Sequence, residues 1–384
     1  MVNKWPLPPP SPVGRELEGE KYIMNMLNYK SYITNGAMCI VLCTLFVACS
    51  GDDLEQYGQR ADNADEIGFL LKTENVTRSV TQRYSPDNPH PETMGTFGYL
   101  DLNETNMKKD KYIIFKNEEV TYSDGEWKYD PVKFWPEYSA FTSFDFFGYM
   151  PYNSSATFTG VGNLYTLSFG ATLDDAMMLE GKNAPLICNS PHHKDAPRDI
   201  VRFDMDQTLT SFQLKFKLGT KMSKVREFEI TKVKVSGKFP YKGTITRTYT
   251  FDEENKVWGP DPSIVWKNVV KMTSEKTLDI KNEGGSLTLQ DDEFHNWGSP
   301  FYAIPVTDFK PTISVTYNVK VADNGTVTRE NVTNKIIFNE DNFANLRKWA
   351  LAPGKLNTLE IAIVPDHLYI LADQDQYIGY LVME

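Results

Sequence analysis

The feature that most constrains the fold is an alternation of apolar and polar residues with a period of two. It is clearest where Ile313, Val315, Tyr317, Val319 and Val321 are separated by single polar residues. Successive side chains of a β-strand point to opposite faces, so such a segment places one face in a core and the other in water. The pattern predicts a half-buried strand over residues 313–321.

The same alternation recurs along the chain. Residues 212–218 and 359–363 repeat it, and a slip of one residue within 228–235 indicates a β-bulge. Asp124-Gly125 and Asn324-Gly325 are typical of tight hairpin turns between antiparallel strands. These segments predict a chain built largely of hairpins.

Helical signals are few. They are confined to residues 174–179, enough for one turn, and residues 341–349, enough for two. Parallel strands need crossover connections that are usually helical, and the chain offers few of them. The fold class predicted is therefore all-β, with two antiparallel β-sandwich domains in tandem.

The N-terminal part carries an export signal. Residues 37–47 form an apolar run of 11 residues, which is shorter than the roughly 20 needed to span a bilayer but fits a signal peptide with Lys30 as its positive flank. Cys49 follows at once, and the chain then turns acidic. This arrangement resembles a bacterial lipobox, in which the cysteine is diacylated and becomes the first residue of the mature chain. Phe46 departs mildly from the aliphatic residue usual there.

These signals and a change in composition divide the chain. Residues 1–48 are predicted to be a signal peptide whose start codon is assigned too far upstream, and residues 49–63 a lipidated tether. Turn residues and aromatics dominate before residue 200, and long amphipathic strands follow it. We therefore expect an N-terminal β-sandwich over residues 64–200 and a C-terminal one over residues 201–384.

Charge and motifs exclude several function classes. The formal net charge of -11 argues against nucleic acid as a partner, because a phosphate backbone is bound by clustered Lys and Arg. The chain has no zinc-protease helix, nucleophile elbow or phosphate-binding glycine loop. We therefore expect no enzyme activity, no cofactor and no metal site.

Three groups contain residue types that can bind a metal ion or react as a nucleophile. His192-His193 with Asp195 forms a histidine cluster, but neighbouring strand residues point to opposite faces and are poorly placed to share an ion. Residues 291–293 and 373–375 are short acidic runs of the kind that supply calcium ligands but are more often solvated loops. Cys188 has no histidine partner in sequence, and we expect it to be buried and inert.

Residues 127–152 are unusually rich in aromatic side chains. Flat rings exposed on a surface stack against sugars, which would make a glycan-binding platform. The same density fits the core of a β-sandwich, which we favour.

The order of those aromatics also carries a family resemblance. Trp127, then Lys133–Pro136, then Phe144–Tyr152 resemble the fimbrillins of Bacteroidota, subunits of type V pili, in which Trp, Tyr-Trp-Pro and a Phe-Tyr-Ala-Tyr-Tyr-Pro strand follow one another. Phe134 and Phe147-Gly148 depart conservatively from that pattern. Weaker likenesses extend the resemblance over about residues 64–365, at residues 67–69, 77–78, 200–218, 301–305 and 353–363.

The resemblance implies transthyretin-like sandwiches and assembly by strand addition. In members that polymerise, an arginine-specific protease removes the lipidated end with the first strand, and a strand of the next subunit fills the groove. Carried to this chain, Arg78 is the expected cleavage site, with Arg83 and Arg60 as alternatives. The expected donor strand contains Tyr377, Ile378, Tyr380 and Val382, although this segment also fits the last strand of the second sandwich.

The function predicted is that of a lipid-anchored, fimbrillin-like surface protein, a structural or adhesive pilus component. Its expected location is the cell surface, as an outer membrane lipoprotein or part of a fimbrium. Its expected partners are other fimbrial subunits and the outer membrane, with a receptor on a host or bacterial surface left open. The alternative is a surface lipoprotein that binds glycans and never polymerises.

Overall fold

A computed structural model describes most of the chain between residues 66 and 382. The described residues are 66–72, 90–102, 112–135, 143–194, 200–218, 226–255, 257–259, 263–289, 293–322, 325–337, 351–364, 367–372 and 377–382. None of the helices in these ranges has the length and apolar character to cross a membrane.

The described residues are predominantly β-strand, which confirms the predicted fold class. A short helix, α1 (Asp175–Glu180), interrupts them after the seventh strand. In chain order the strands are β1 (Phe69–Lys72), β2 (Thr93–Leu100), β3 (Ile113–Ser123), β4 (Glu126–Lys128), β5 (Phe144–Met150), β6 (Thr157–Val161), β7 (Leu164–Thr172), β8 (Leu186–Cys188), β9 (His192–Lys194), β10 (Val201–Gln207), β11 (Thr210–Leu218), β12 (Arg226–Gly237), β13 (Pro240–Asp252), β14 (Val257–Trp258), β15 (Val265–Lys271), β16 (Lys276–Ile280), β17 (Leu287–Leu289), β18 (His295–Ala303), β19 (Thr312–Val321), β20 (Val327–Ile337), β21 (Leu356–Val364), β22 (His367–Ala372) and β23 (Tyr377–Val382).

The first core lies between two sheets. One sheet has eight strands, in the order β1-β10-β8-β5-β2-β3-β4 with β9 beside β5, and the other has the order β14-β13-β7-β6 with β15 beside β13. Side chains of both sheets meet in one hydrophobic cluster that includes Phe97, Phe147 and Tyr249. The arrangement is a β-sandwich with an aromatic interior.

Glycines on the central strands make room for these aromatics. A Cβ at Gly148 on β5 would lie 2.9 Å from the ring of Phe203 on β10, and one at Gly98 on β2 would lie 2.8 Å from the ring of Phe146. Each glycine thus lets a large ring lie flat against the sheet. Any larger residue at position 148 would displace Phe203, which belongs to the strand next to β1.

The second core lies between two five-stranded sheets. Their orders are β18-β11-β21-β22-β23 and β16-β12-β19-β20, with β17 beside β12. Their buried residues, among them Phe216, Ile230 and Trp297, form a second hydrophobic cluster. The predicted bulge is confirmed as a shift of register between Ile230 and Lys232, where β12 pairs with β19.

Two strand pairs depart from the antiparallel pattern. β1 runs parallel to β10, and β11 runs parallel to β21.

The hairpin predicted at Asp124-Gly125 joins β3 and β4, and β19 and β20 form the other predicted hairpin. The helical turn predicted at 174–179 is confirmed as α1, whereas residues 341–349 lie outside the described residues.

The domain boundary placed at residue 200 stays a prediction. The chain passes between the two cores more than once: Met178 of α1 belongs to the second core, and Ile245 of β13 belongs to the first. β13 completes the smaller sheet of the first sandwich by pairing with β7 over nine positions, from Lys242 to Thr250.

Candidate strand-exchange site

The strand β1 lies at the edge of the eight-stranded sheet. Its four residues pair in parallel with β10, from Phe69 opposite Val201 to Lys72 opposite Asp204. The amide of Val201 donates to the carbonyl of Gly68 over 2.8 Å. Within the described residues no strand pairs with the other side of β1, so one ladder of main-chain bonds holds it in the sheet.

Side chains of β1 and of Ile67, the residue two positions before it, are buried in the first core. Ile67, Phe69 and Leu71 are buried in the first core, with at most 1% of their surfaces exposed. The ring of Phe69 lies between Phe115 and Phe203, with centroid separations of 5.3 and 6.0 Å. Ile67 and the alternate β1 residues Phe69 and Leu71 thus fill a groove whose walls belong to other parts of the chain.

Residues 129–134 clamp the entry to this groove. The hydroxyl of Tyr129 donates to the carbonyl of Ile67 over 2.8 Å, and the amide of Ile67 donates to the carbonyl of Lys133 over 3.0 Å. The Tyr129 ring also packs edge-on against Phe69, 5.6 Å away. Burial raises the pKa of Tyr129 well above its usual value, so its hydroxyl stays a donor throughout the physiological range.

Lys133 supports the wall of the groove from outside. Its Nζ donates to the carbonyl of Ile114 and to the carboxylate of Glu118, both at 2.7 Å, and lies 4.6 Å from the centroid of Phe115. Phe115 is therefore held by a cation on one side and by Phe69 on the other. The contacts of Lys133 with Ile114, Glu118 and Phe115 do not involve β1.

Loss of β1 would leave an open apolar groove. Removing β1 would expose the inner faces of Phe115, Tyr129 and Phe203 and the unpaired edge of β10. Each buried side chain of this size is worth about 1.5 to 3 kcal/mol of burial, so an empty groove is strongly favoured to accept another apolar strand. Main-chain bonds to β10 would align that strand, and alternate side chains would enter the pockets left empty.

The predicted processing sites fall outside the described residues. This applies to Cys49, Arg60, Arg78 and Arg83. β1 ends at Lys72, six residues before Arg78, so the described part of the first strand lies wholly on the N-terminal side of that arginine.

The predicted donor segment is a strand of the second sandwich. Tyr377, Ile378, Tyr380 and Val382 lie on β23, which pairs antiparallel with β22 from Tyr377 opposite Ala372 to Val382 opposite His367. β23 is the last strand in its sheet, at the end opposite β18. Among the described strands it therefore has one main-chain partner, like β1.

Most of the described aromatics in residues 127–152 are internal. Phe144, Phe146, Phe147 and Tyr149 are fully buried, and Trp127 and Trp135 nearly so. Of the aromatic residues described in this stretch, Phe134 is the one with more than half of its surface exposed, at 53%. These rings serve as core, and their faces are not available to stack on sugars.

The thiol of Cys188 is enclosed in a polar cluster of the first core. Its Sγ lies 3.1 Å from the hydroxyl of Tyr249, and the amide of Gly148 contacts it at 3.3 Å. Burial raises the pKa of this thiol, which therefore stays protonated and unreactive. The expectation of a buried cysteine is met by the free, buried Cys188.

One polar group was not foreseen from the sequence. Asp145 on β5 is 1% exposed and accepts hydrogen bonds from Nδ1 of His193 at 2.6 Å and from Nε1 of Trp258 at 2.7 Å. These residues are up to 113 positions apart, and only the pairing of β9 with β5 brings the histidine to the carboxylate. The contacts tie β9 and β14 to β5, a structural role.

The histidine cluster and the acidic runs give no metal site in the part of the chain that is described. No group of three or more His, Cys, Asp or Glu side chains with metal-binding geometry occurs there. Asp195, Asp291, Asp292, Asp373 and Asp375 lie outside the described residues.

Comparison with solved structures finds similar chains in one bacterial group. A candidate cell adhesion protein from Bacteroides ovatus is 17% identical, with a TM-score of 0.39, over 85% of this chain and 100% of its own. The truncated tip fimbrial protein Mfa3 from Porphyromonas gingivalis is 10% identical, with a TM-score of 0.30, over 77% of this chain and 95% of its own. A fimbrial assembly protein from Parabacteroides distasonis is 7% identical, with a TM-score of 0.33, over 82% of this chain and 98% of its own.

The structural neighbours are fimbrial and cell-adhesion proteins of Bacteroidota. No protein-family model matches the chain, and no curated protein matches it.

Proposed function

We propose that the chain is a lipid-anchored subunit of a surface fimbria that assembles by exchange of its first strand. The observation that carries the proposal is β1, a four-residue edge strand whose side chains at 69 and 71, together with that of Ile67 just before it, fill a groove built by other parts of the chain. Such a strand has main-chain bonds on one side only and buries alternate side chains in a groove. Another strand with the same alternation of apolar residues can therefore replace it.

The anchor rests on the sequence at Cys49. Diacylation of that cysteine would hold the exported domains on the outer membrane, because two or more acyl chains bind a bilayer stably where one chain does not. Cleavage after Arg78 would then separate the anchor and β1 from the rest of the chain. The same event would release the subunit from its lipid and open its groove.

The donor segment matches the strand that it would replace. Residues 67, 69 and 71 of the first strand are Ile, Phe and Leu, and residues 378, 380 and 382 are Ile, Tyr and Val. Both sets read aliphatic, aromatic, aliphatic at spacings of two. In this register Tyr380 of one subunit takes the place of Phe69 between Phe115 and Phe203 of the next. Such a head-to-tail contact does not close on itself and produces a filament.

The decisive experiment is processing in vitro followed by assembly. The intact protein is incubated with an arginine-specific protease, and the products are separated without boiling and sequenced from the N-terminus. We expect Ser79 as the new first residue, followed by a ladder of oligomers. Arg78→Ala should lose the product that begins at Ser79 and stay monomeric, and oligomers that begin at residue 61 or 84 would assign the processing to Arg60 or Arg83 instead. A chain that is cut at Arg78, stays monomeric and binds a polysaccharide would support the glycan-binding alternative instead.

The donor register has a matched pair of variants on one strand. Tyr380→Ser and Tyr377→Ser change tyrosines three positions apart in the sequence of one strand, and residues an odd number of positions apart in a strand belong to opposite faces. We expect that Tyr380→Ser forms no oligomers after cleavage, because a small polar side chain leaves the Phe69 pocket empty. We expect that Tyr377→Ser still forms the series of oligomers. Equal effects of the two variants would contradict the proposed register.

A further inference from the structure

The edges of the sheets differ in how they are protected. An unpaired edge strand can pair with a strand of another chain. Natural proteins usually prevent such pairing with charged residues, with proline or with very short edge strands. In the described part of the chain β4, β15, β16 and β20 carry charged residues, β18 contains Pro300, and β14 and β17 have at most three residues. β6 and β23 have none of these features.

β6 lies at one end of the smaller sheet of the first sandwich. Its sequence is Thr-Phe-Thr-Gly-Val, its partner is β7, and neither strand contains a charged residue. No strand among the described residues pairs with its outer edge. Val161 is 81% exposed and Leu164, its partner across the hairpin, is 46% exposed. On a chain with a net charge of -11, this uncharged edge is a place where two copies can approach without repulsion.

The hairpin shows which main-chain groups of β6 face outward. Val161 and Leu164 flank the two-residue turn at Gly162 and Asn163, and residues so placed exchange hydrogen bonds with each other. The alternation then directs the amides and carbonyls of Thr157 and Thr159 towards β7. Those of Phe158 and Gly160 point away from the sheet, symmetrically on either side of Thr159.

We propose that β6 pairs with β6 of a second copy of this chain, antiparallel, about a twofold axis at Thr159. Phe158 of each copy then lies opposite Gly160 of the other, and these pairs exchange all four outward main-chain bonds. On the solvent face Thr159 meets its own copy, and Val161 lies opposite Thr157. The ring of Phe158 stays in the first core of its own copy, and Gly160 opposite it adds no side chain to the contact.

The contact is small, and its strength depends on anchoring. A five-residue strand and one exposed hairpin tip cover less surface than the roughly 800 Å² per partner of a typical stable complex. We therefore expect weak association in solution. Copies held on one membrane or along neighbouring filaments have a high effective concentration, which turns a weak contact into a stable lateral one. This lateral pairing uses a different edge from strand exchange and does not depend on it.

Disulfide crosslinking on intact cells tests the pairing. In an antiparallel ladder, opposite residues that share no main-chain bond have α-carbons about 4.5 Å apart, which is within disulfide range. The full-length Thr159→Cys variant is displayed on cells, treated with a mild oxidant and blotted without reduction. We expect a disulfide-linked dimer at least several times more abundant than in the matched variant Thr333→Cys, an exposed threonine on the charged edge strand β20. The unaltered chain, which has the same native cysteines, should give no such band.

Two further variants separate this contact from its alternatives. Adding Thr157→Lys to Thr159→Cys should reduce the dimer several-fold, because two lysines are then brought against the uncharged edge. Tyr380→Ser, which should abolish filaments, should leave the dimer unchanged. Equal crosslinking at positions 159 and 333, or a crosslinked product of the wrong mass for two copies, would overturn the proposal.

Discussion

Phe69 is the residue through which β1 contributes most to the first core. Its ring is 1% exposed and contacts Phe115, Tyr129 and Phe203. The neighbouring wall residue Lys133 holds Phe115 independently, so the groove should keep its shape when Phe69 is truncated. Truncation therefore creates a cavity rather than a collapse, which is the situation in which large-to-small substitutions cost most.

We predict that Phe69→Ala lowers the free energy of unfolding by about 3 to 5 kcal/mol. Chemical denaturation followed by tryptophan fluorescence measures the change. Phe134→Ala is the matched control, because Phe134 belongs to the adjacent clamp but is 53% exposed, and it should shift stability by no more than about 0.5 kcal/mol. Equal losses in the two variants would mean that Phe69 does not anchor β1.

Buried tyrosines make the fold sensitive to alkali. Burial raises the pKa of Tyr302 to about 12, whereas an unfolded tyrosine ionises near pH 10. Above that pH the unfolded state loses a proton that the folded state keeps, so stability falls by about 1.4 kcal/mol per pH unit for this residue until its folded pKa is reached.

We predict that Tyr302→Phe flattens the loss of stability between pH 10 and pH 12 and leaves the pH dependence below 9 unchanged. Denaturation curves at a series of pH values measure both slopes. An unchanged slope between pH 10 and pH 12 in Tyr302→Phe would contradict the prediction.

Some residue roles follow from sequence patterns and others do not. Burial of the aromatics near Phe146 and of Cys188 was predictable, because apolar density and an isolated thiol are typical of a core. The carboxylate of Asp145 was not, because its partners His193 and Trp258 come from distant strands whose pairing no local pattern specifies.

Local elements were easier to foresee than their neighbours in space. The bulge in β12 and the hairpin of β3 and β4 leave local signatures, a slip of phase and an Asp-Gly turn. The parallel pairing of β1 with β10 leaves none, since more than a hundred residues separate the two strands. The candidate site depends on that pairing, which is why the sequence indicated a first strand but not the walls of its groove.

Helix α1 is an element whose two ends are well defined. Asp174 accepts a hydrogen bond from the amide of Met177 at its start, and Gly181, with φ of 67°, ends it in the left-handed conformation. A Cβ on Gly181 would also lie 2.7 Å from the ring of Tyr302. Both the backbone and the second core therefore require glycine there.

We predict that Gly181→Ala destabilises the protein by roughly 1 to 3 kcal/mol, from strain at positive φ together with the contact on Tyr302. Thermal unfolding monitored by circular dichroism measures it. Gly285→Ala is the control, because Gly285 has φ of 78° but nothing within 4 Å of the added Cβ. The difference between the two variants isolates the contribution of packing from that of the backbone.

On the scale of the whole molecule, two cores are linked by a chain that crosses between them repeatedly. β12 lies in the second core and β13, which follows it directly, completes a sheet of the first. Trp266 on β15 packs against both hydrophobic clusters, and its Nε1 donates to the carbonyl of Thr208 over 2.8 Å. The boundary near residue 200 stays a prediction from the change of composition there, and the crossing of β13 depends on long-range pairing that composition does not indicate.

We predict that Trp266 makes the two cores unfold together. Trp266→Ala should remove the side chain shared by both clusters and convert a single calorimetric transition into two that are separated in temperature. Val265→Ala is the control on the same strand, because Val265 is 42% exposed and touches neither cluster's interior. Cooperative unfolding requires that each core gains stability from the other, and Trp266 is a described side chain packed on both. A single sharp transition in Trp266→Ala would place the coupling in the chain crossings between β12 and β13 instead of in this tryptophan.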